Sequence, residues 1–145
     1  MSATAIDLNP LAASRAVRYH LPDWSASYMQ RFSSLEEVPP VQREREHDGI
    51  GPIVFRRMLA AESFETNIDF VDLTTIPPGS TIGRHSHDGT EELYFIASGE
   101  PLMRVDGIER RLRRGGVAVV HPGGWHELVN DTPDPVEIFV VQVSR

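Results

Sequence analysis

From Ile53 onward the chain is a succession of short apolar runs broken by glycine and proline. The runs are I-V-F-R-R-M-L from Ile53, N-I-D-F-V-D-L-T-T-I from Asn67, L-Y-F-I from Leu93, L-M-R-V-D from Leu102, I-E-R-R-L from Ile108, V-A-V-V-H from Val117, H-E-L-V-N from His126 and V-E-I-F-V-V-Q-V from Val136. β-branched and aromatic residues dominate them, often in alternation with polar ones, which is the pattern of half-buried strands. Pro77-Pro78-Gly79, Ser98-Gly99, Asp106-Gly107 and Gly115-Gly116 supply the turns, Asp106-Gly107 as a type I′ hairpin. Short antiparallel strands at this spacing predict an all-β sandwich closed into a barrel. In the last run either Val136, Ile138 and Val140 or Glu137, Phe139 and Val141 face inward, and its apolar character throughout predicts burial on both faces by a second copy, hence a homodimer.

Before Ile53 the pattern changes. Asn9-Pro10 is a start signal for a short helix, but Pro22, Pro39 and Pro40 break any longer element. Residues 1–48 therefore read as an arm and residues 49–145 as the barrel domain. Trp24, Tyr28, Met29 and Phe32 are too apolar for a free tail and are expected to pack on the barrel or a partner subunit. The charged run Gln42–Asp48 reads as a solvated loop, with His47 a surface residue. Arg110, Arg111, Arg113 and Arg114 read as a charged edge that blunts strand pairing.

A chain of 145 residues with 40% hydrophobic content supports one domain and one core. Its formal charge of -7 disfavours nucleic acid and anionic membrane surfaces as partners. No cysteine is present, which removes disulfides and thiolate ligands. The first residues lack the basic and apolar regions of a secretory signal, so a cytoplasmic protein is expected.

The chemistry concentrates in two stretches. Across Gly79–Gly99, His85 and His87 lie two apart in an extended segment and so project to one face; after the Asp88-Gly89 turn the chain returns with Glu91 and Glu92 at its start. A glutamate on the returning strand meets the two imidazoles, a donor set suited to a divalent ion; Glu91 and Glu92 face opposite ways and only one of them fits. From Gly115 to Asn130 a second apolar run leads through His121 and Pro122-Gly123-Gly124 to Trp125 and His126.

These stretches resemble the two cupin motifs. Gly79, His85, His87, Glu92 and Gly99 meet G-x5-H-x-H-x(3,4)-E-x6-G, and Gly115, Gly123, His126 and Asn130 meet the second motif, with His121 standing where a proline is usual. The resemblance implies a double-stranded β-barrel of jelly-roll type with His85, His87, Glu92 and His126 as metal ligands. Zinc is the expected ion, with iron, manganese or nickel as alternatives. Phe70, Tyr94, Ile96, Met103, Trp125, Phe139 and Val141 are the candidate cavity wall, suited to a flat, apolar, oxygen-rich ligand. His121 is a candidate general base or fourth imidazole ligand, against a plain exposed turn histidine.

As a single small cupin the chain is also similar to the cupin-type cyclases of bacterial aromatic polyketide pathways, of the resistomycin and tetracenomycin kind. That resemblance implies aldol cyclisation and dehydration of a poly-β-ketone held on a carrier protein. In that scheme the ion polarises a ketone, His121 or a metal hydroxide takes the proton, and Tyr94 and Trp125 flatten the nascent ring. A cupin dioxygenase is the second enzymatic reading, and a non-catalytic ligand-binding module the reading outside enzymes.

Overall fold

The computed structural model describes residues 31–145; the expected helix after Pro10 and the packing of Trp24, Tyr28 and Met29 lie outside them. Among the described residues ten strands are formed: β1 Val41–Glu44, β2 Pro52–Ala60, β3 Ile68–Ile76, β4 Thr81–Ser86, β5 Thr90–Ser98, β6 Leu102–Val105, β7 Ile108–Arg111, β8 Val117–Val120, β9 Trp125–Val129 and β10 Val136–Ser144. They build two antiparallel sheets, β1-β2-β3-β10-β5-β8 and β4-β9-β6-β7. This is the two-sheet jelly roll expected from the run and turn pattern.

Alternation explains which residues fill it. In β5, Glu92, Tyr94 and Ile96 point inward while Leu93 and Phe95 are exposed, and in β9 His126 and Leu128 point inward. β10 resolves its ambiguity with Val136, Ile138 and Val140 in the core, so Phe139 and Val141 face outward and are not part of a cavity wall. The core joins these to Ile53, Ile76, Ile82 and Met103. Asp106 (φ 49°) and Gly107 (φ 85°) are both left-handed between the paired Val105 and Ile108, which is the type I′ geometry.

Asn130 closes the end away from the metal residues. It is fully buried; its amide donates to the carbonyls of Ile76 and Asp134 and its oxygen accepts from Thr132 N–H and Oγ1. Four bonds satisfy a side chain whose burial would otherwise be costly.

The expected boundary at residue 48 falls inside the barrel. β1 pairs with β2, Val41 opposite Phe55 and Arg43 opposite Ile53, and the turn Glu46–Asp48 docks against β4. The segment before it runs over the outer face of β2, where the carbonyl of Val38 accepts from Arg56. Phe32 lies beside Met58 and Leu59 and is 71% exposed. Among the described residues no helix is long and apolar enough to cross a membrane.

Candidate metal centre

Both sheets contribute to one cluster. Pairing of β4 with β9 sets His85 directly opposite His126. His87, just past β4, is held by its backbone: its N–H donates to Gly124 O and its carbonyl accepts from Gly123 N–H, so the two turns that carry the motifs brace each other. Glu92 arrives from β5 in the other sheet.

The donor atoms of His85, His87, Glu92 and His126 all lie within 4.8 Å of one another. His126 Nε2 is 2.9 Å from His85 Nε2 and 2.8 Å from His87 Nε2. Glu92 Oε2 lies 3.3 Å from His87 Nε2 and 3.5 Å from His126 Nε2. His85 Nδ1 faces the Gly83 carbonyl at 2.8 Å, an acceptor only, so that nitrogen carries the proton and the neutral ring's Nε2 offers a lone pair to the cluster. His87 Nδ1 lies 3.1 Å from Thr90 Oγ1, a hydroxyl able to accept from it or donate to it. His126 is fully buried, and its Nδ1 has no partner among the described residues.

Lone pairs thus converge on one point with too few protons to join them, an arrangement a cation stabilises. Metal–nitrogen bonds of about 2.0–2.1 Å at right angles set their nitrogens about 2.9 Å apart, whereas tetrahedral bonds set them about 3.4 Å apart. The two separations from His126 Nε2 match the right-angle value, and those from Glu92 Oε2 lie close to the tetrahedral one. The four residues therefore fit a divalent ion, and His85, His87, His126 and Glu92 can hold one.

Burial prepares the ligands electrically. It pushes His85 down to about 4 and His126 to about 2, with the neighbouring imidazoles adding to the effect, and it lowers His87 as well. Burial also raises Glu92 to about 7, against the hydrogen bond that Tyr94 donates to its Oε2 at 2.9 Å. Without a cation the site holds neutral rings and a half-protonated acid.

A cavity of about 260 Å³ opens beside the cluster, with His85, His87, Glu92 and Tyr94 in its wall. Of the wall residues expected from the sequence, Phe70 and Tyr94 face it; Ile96 and Met103 belong to the core below. Trp125 does not face it. As the neighbour of inward-facing His126 it points out of the barrel, under the Arg84 guanidinium at 3.7 Å. Nor does His121: its side chain is 74% exposed, paired with Glu91 at 2.6 Å, on a surface groove with Val117 and Val119. Neither residue can act on a ligand at the cluster, which corrects the catalytic roles expected of them.

Other residues take their place. His47, expected on a solvated loop, stacks on His85 with ring centroids 3.5 Å apart and planes at 9°, and with Glu46 it lines the cavity. Its turn is built from three left-handed non-glycine residues, Arg45, His47 and Asp48, a costly backbone that no run or turn signal announces. Arg43, Arg57 and Asp72 line the far wall. Asp72 had a signal in the sequence, a carboxylate between Val71 and Leu73 in an apolar run.

The sequence pattern of the cupin domain matches residues 72–142. Those residues are a cupin domain. An oxalate-binding protein from Thermotoga maritima is 26% identical to this chain over 105 residues, 72% of this chain and 87% of that protein. Tetracenomycin polyketide synthase protein TcmJ from Streptomyces glaucescens is 27% identical over 89 residues, 61% of this chain and 59% of that protein. The crystal structure of a predicted oxalate decarboxylase from Thermotoga maritima shares the fold, with a TM-score of 0.75 at 24% identity over 78% of this chain and 98% of that one.

Proposed function

We propose that this cupin is a metal-dependent enzyme acting on a small oxygen-rich carbonyl compound, by enolisation and aldol-type ring closure of a β-dicarbonyl unit. The observation that carries the reading is the cluster of three imidazoles and one carboxylate beside a cavity that aromatic side chains also line. A divalent ion held by His85, His87, Glu92 and His126, zinc being sufficient, would supply Lewis acidity to polarise a carbonyl and acidify the adjacent C–H.

The rest falls to the protein. Phe55, Phe70 and Tyr94 face the cavity and suit a flat unsaturated ligand. Tyr94 holds Glu92 in place from within the core. His47 and Glu46 line the cavity next to, but outside, the ligand set. At about 260 Å³ the space lies at the small end for ligand sites, so it admits the reacting ring of a polyketide and not its whole length. The likeness to the TcmJ protein supports a polyketide-type substrate, delivered free or on a carrier protein.

Oxygen-dependent cleavage is the second reading, supported by the right-angle separations that six-coordinate iron, manganese and nickel also adopt. We place the enzyme in the cytoplasm, consistent with its lack of cysteine, and as a homodimer through the exposed apolar face of Leu93, Phe95, Val117 and Val119.

The test combines metal analysis of the purified protein with deuterium exchange of the central methylene of an acetoacetyl thioester, followed by NMR beside an oxygen electrode. Metal-dependent exchange without oxygen uptake, lost in His85→Ala, is the expected result. Oxygen uptake with loss of the probe selects the second reading. Bound metal with neither activity makes the protein a ligand-binding module.

A further inference from the structure

The cavity wall carries two arginines outside the cluster of His85, His87, Glu92 and His126. Arg57 reaches Asp72 through the two donors of one edge of its fork, Nε to Oδ1 at 2.6 Å and Nη2 to Oδ2 at 3.1 Å, and its guanidinium lies 4.1 Å from the centre of the Phe70 ring. Asp72 is 7% exposed, so this is a pair anchored from below. Arg43 lies 4.6 Å over the Phe55 ring and donates through Nη1 to Glu46 at 3.2 Å. All of these residues line the one cavity that His85, His87 and Glu92 also line.

Each guanidinium is held on an aromatic face and by one carboxylate, yet keeps donors unspent. Among the described residues Arg57 Nη1 and Arg43 Nε and Nη2 have no hydrogen-bond partner, and the Arg57 side chain is 45% exposed. A fixed fork with free N–H groups at a cavity wall is the arrangement that recognises a carboxylate.

The sheet sets the distance. Tyr94, Val140, Asp72 and Arg57 are paired in one row across β5, β10, β3 and β2. Tyr94 bonds the ligand Glu92 at one end of that row and Arg57 stands at the other, three strand spacings or roughly 14 Å away along the backbone. Side chains from both ends shorten the gap to one that a chain of a few carbon atoms spans.

We infer that Arg57 and Arg43 form a carboxylate subsite opposite the metal residues, so that the substrate is a free oxo-acid with a chelating dicarbonyl at one end and a carboxylate at the other. The inference rests on the metal-chelation reading above and sharpens it, because a carrier-bound thioester has no terminal charge to offer.

The probe pair is 4,6-dioxoheptanoate and its methyl ester, which share the β-diketone and differ only in the terminal charge. Titrated calorimetrically into the Mn²⁺-loaded protein, the acid binds about tenfold or more tightly than the ester, the worth of a charge-assisted hydrogen bond. Arg57→Gln brings the two to equal affinity while Mn²⁺ binding is unchanged, and Arg43→Gln narrows the difference. Since Arg57→Gln leaves Asp72 buried without its partner, the double variant Arg57→Gln, Asp72→Asn is measured beside it and also loses the preference. Equal binding of acid and ester by the wild type, or a preference that survives both Arg57 variants, overturns the subsite and leaves metal chelation standing. Failure to bind Mn²⁺ at all overturns the metal reading and the subsite together.

Discussion

The protonation states at the cluster make metal binding a quantitative test of the site. A divalent ion needs Glu92 as a carboxylate and the histidines as free lone pairs. Glu92 is raised to about 7 by burial, so in the metal-free protein it keeps its proton up to that pH, and affinity falls as pH drops through 7. The imidazoles work the other way. Depressed to about 4 for His85 and about 2 for His126, these two stay unprotonated well below the usual histidine range and add little pH dependence above pH 5.5, and burial lowers His87 in the same direction. Between pH 8 and pH 5.5 the apparent affinity then falls roughly thirtyfold through Glu92, against roughly a thousandfold for three ordinary histidines. At pH 6 binding releases about one proton instead of more than two. Calorimetric titration of Mn²⁺ in buffers of different ionisation heat counts those protons directly. Glu92→Gln abolishes the release and flattens the profile. Release of more than two protons by the wild type, or of a full proton by Glu92→Gln, refutes the reasoning.

Three further outcomes follow from single contacts. Tyr94→Phe deletes the hydrogen bond that favours the Glu92 carboxylate, so Mn²⁺ affinity at pH 7 falls about tenfold with little loss of thermal stability, read by titration and by melting. His121→Ala leaves metal content and any cyclisation or exchange rate unchanged, because the ring faces solvent beside Glu91; a loss of either restores it to the site. Asn130→Ala removes four bonds in a fully buried position and costs about 2–4 kcal/mol in denaturant unfolding, while the protein that remains folded still binds Mn²⁺.

The barrel and the convergence of His85, His87, Glu92 and His126 were legible because each rests on a local rule. Two-residue periodicity put His85 and His87 together, and the same rule separated Glu92 from Glu91. It also answered a question that was not put to it. Trp125 adjoins His126 in one strand, so if His126 faces the cluster, Trp125 must face away, as it does. For His121 the rule was weaker, since V-A-V-V is apolar on both faces and alternation cannot say which is inner. The buried Val120 settles it in three dimensions, turning His121 outward with Val117 and Val119.

His47 escaped for a different reason. Gln42–Asp48 is charged at nearly every position, which reads as solvated loop; yet β1 is an edge strand, where exposed charged side chains are ordinary and also discourage pairing with another chain. Past it, the left-handed residues at 45, 47 and 48 swing the His47 ring onto His85, a contact between segments nearly forty residues apart that no local pattern encodes. Its imprint is in the partner strand. A Cβ at position 83 would collide with the His47 carbonyl oxygen and crowd Gly49 N, so a glycine must stand there for the turn to dock. Gly83 also gives its carbonyl to His85 Nδ1, which sets the tautomer that turns Nε2 toward the cluster. One glycine therefore serves both the approach of the His47 turn and the aim of a metal residue, and a substitution there disturbs the cavity wall and the ligand set in a single step.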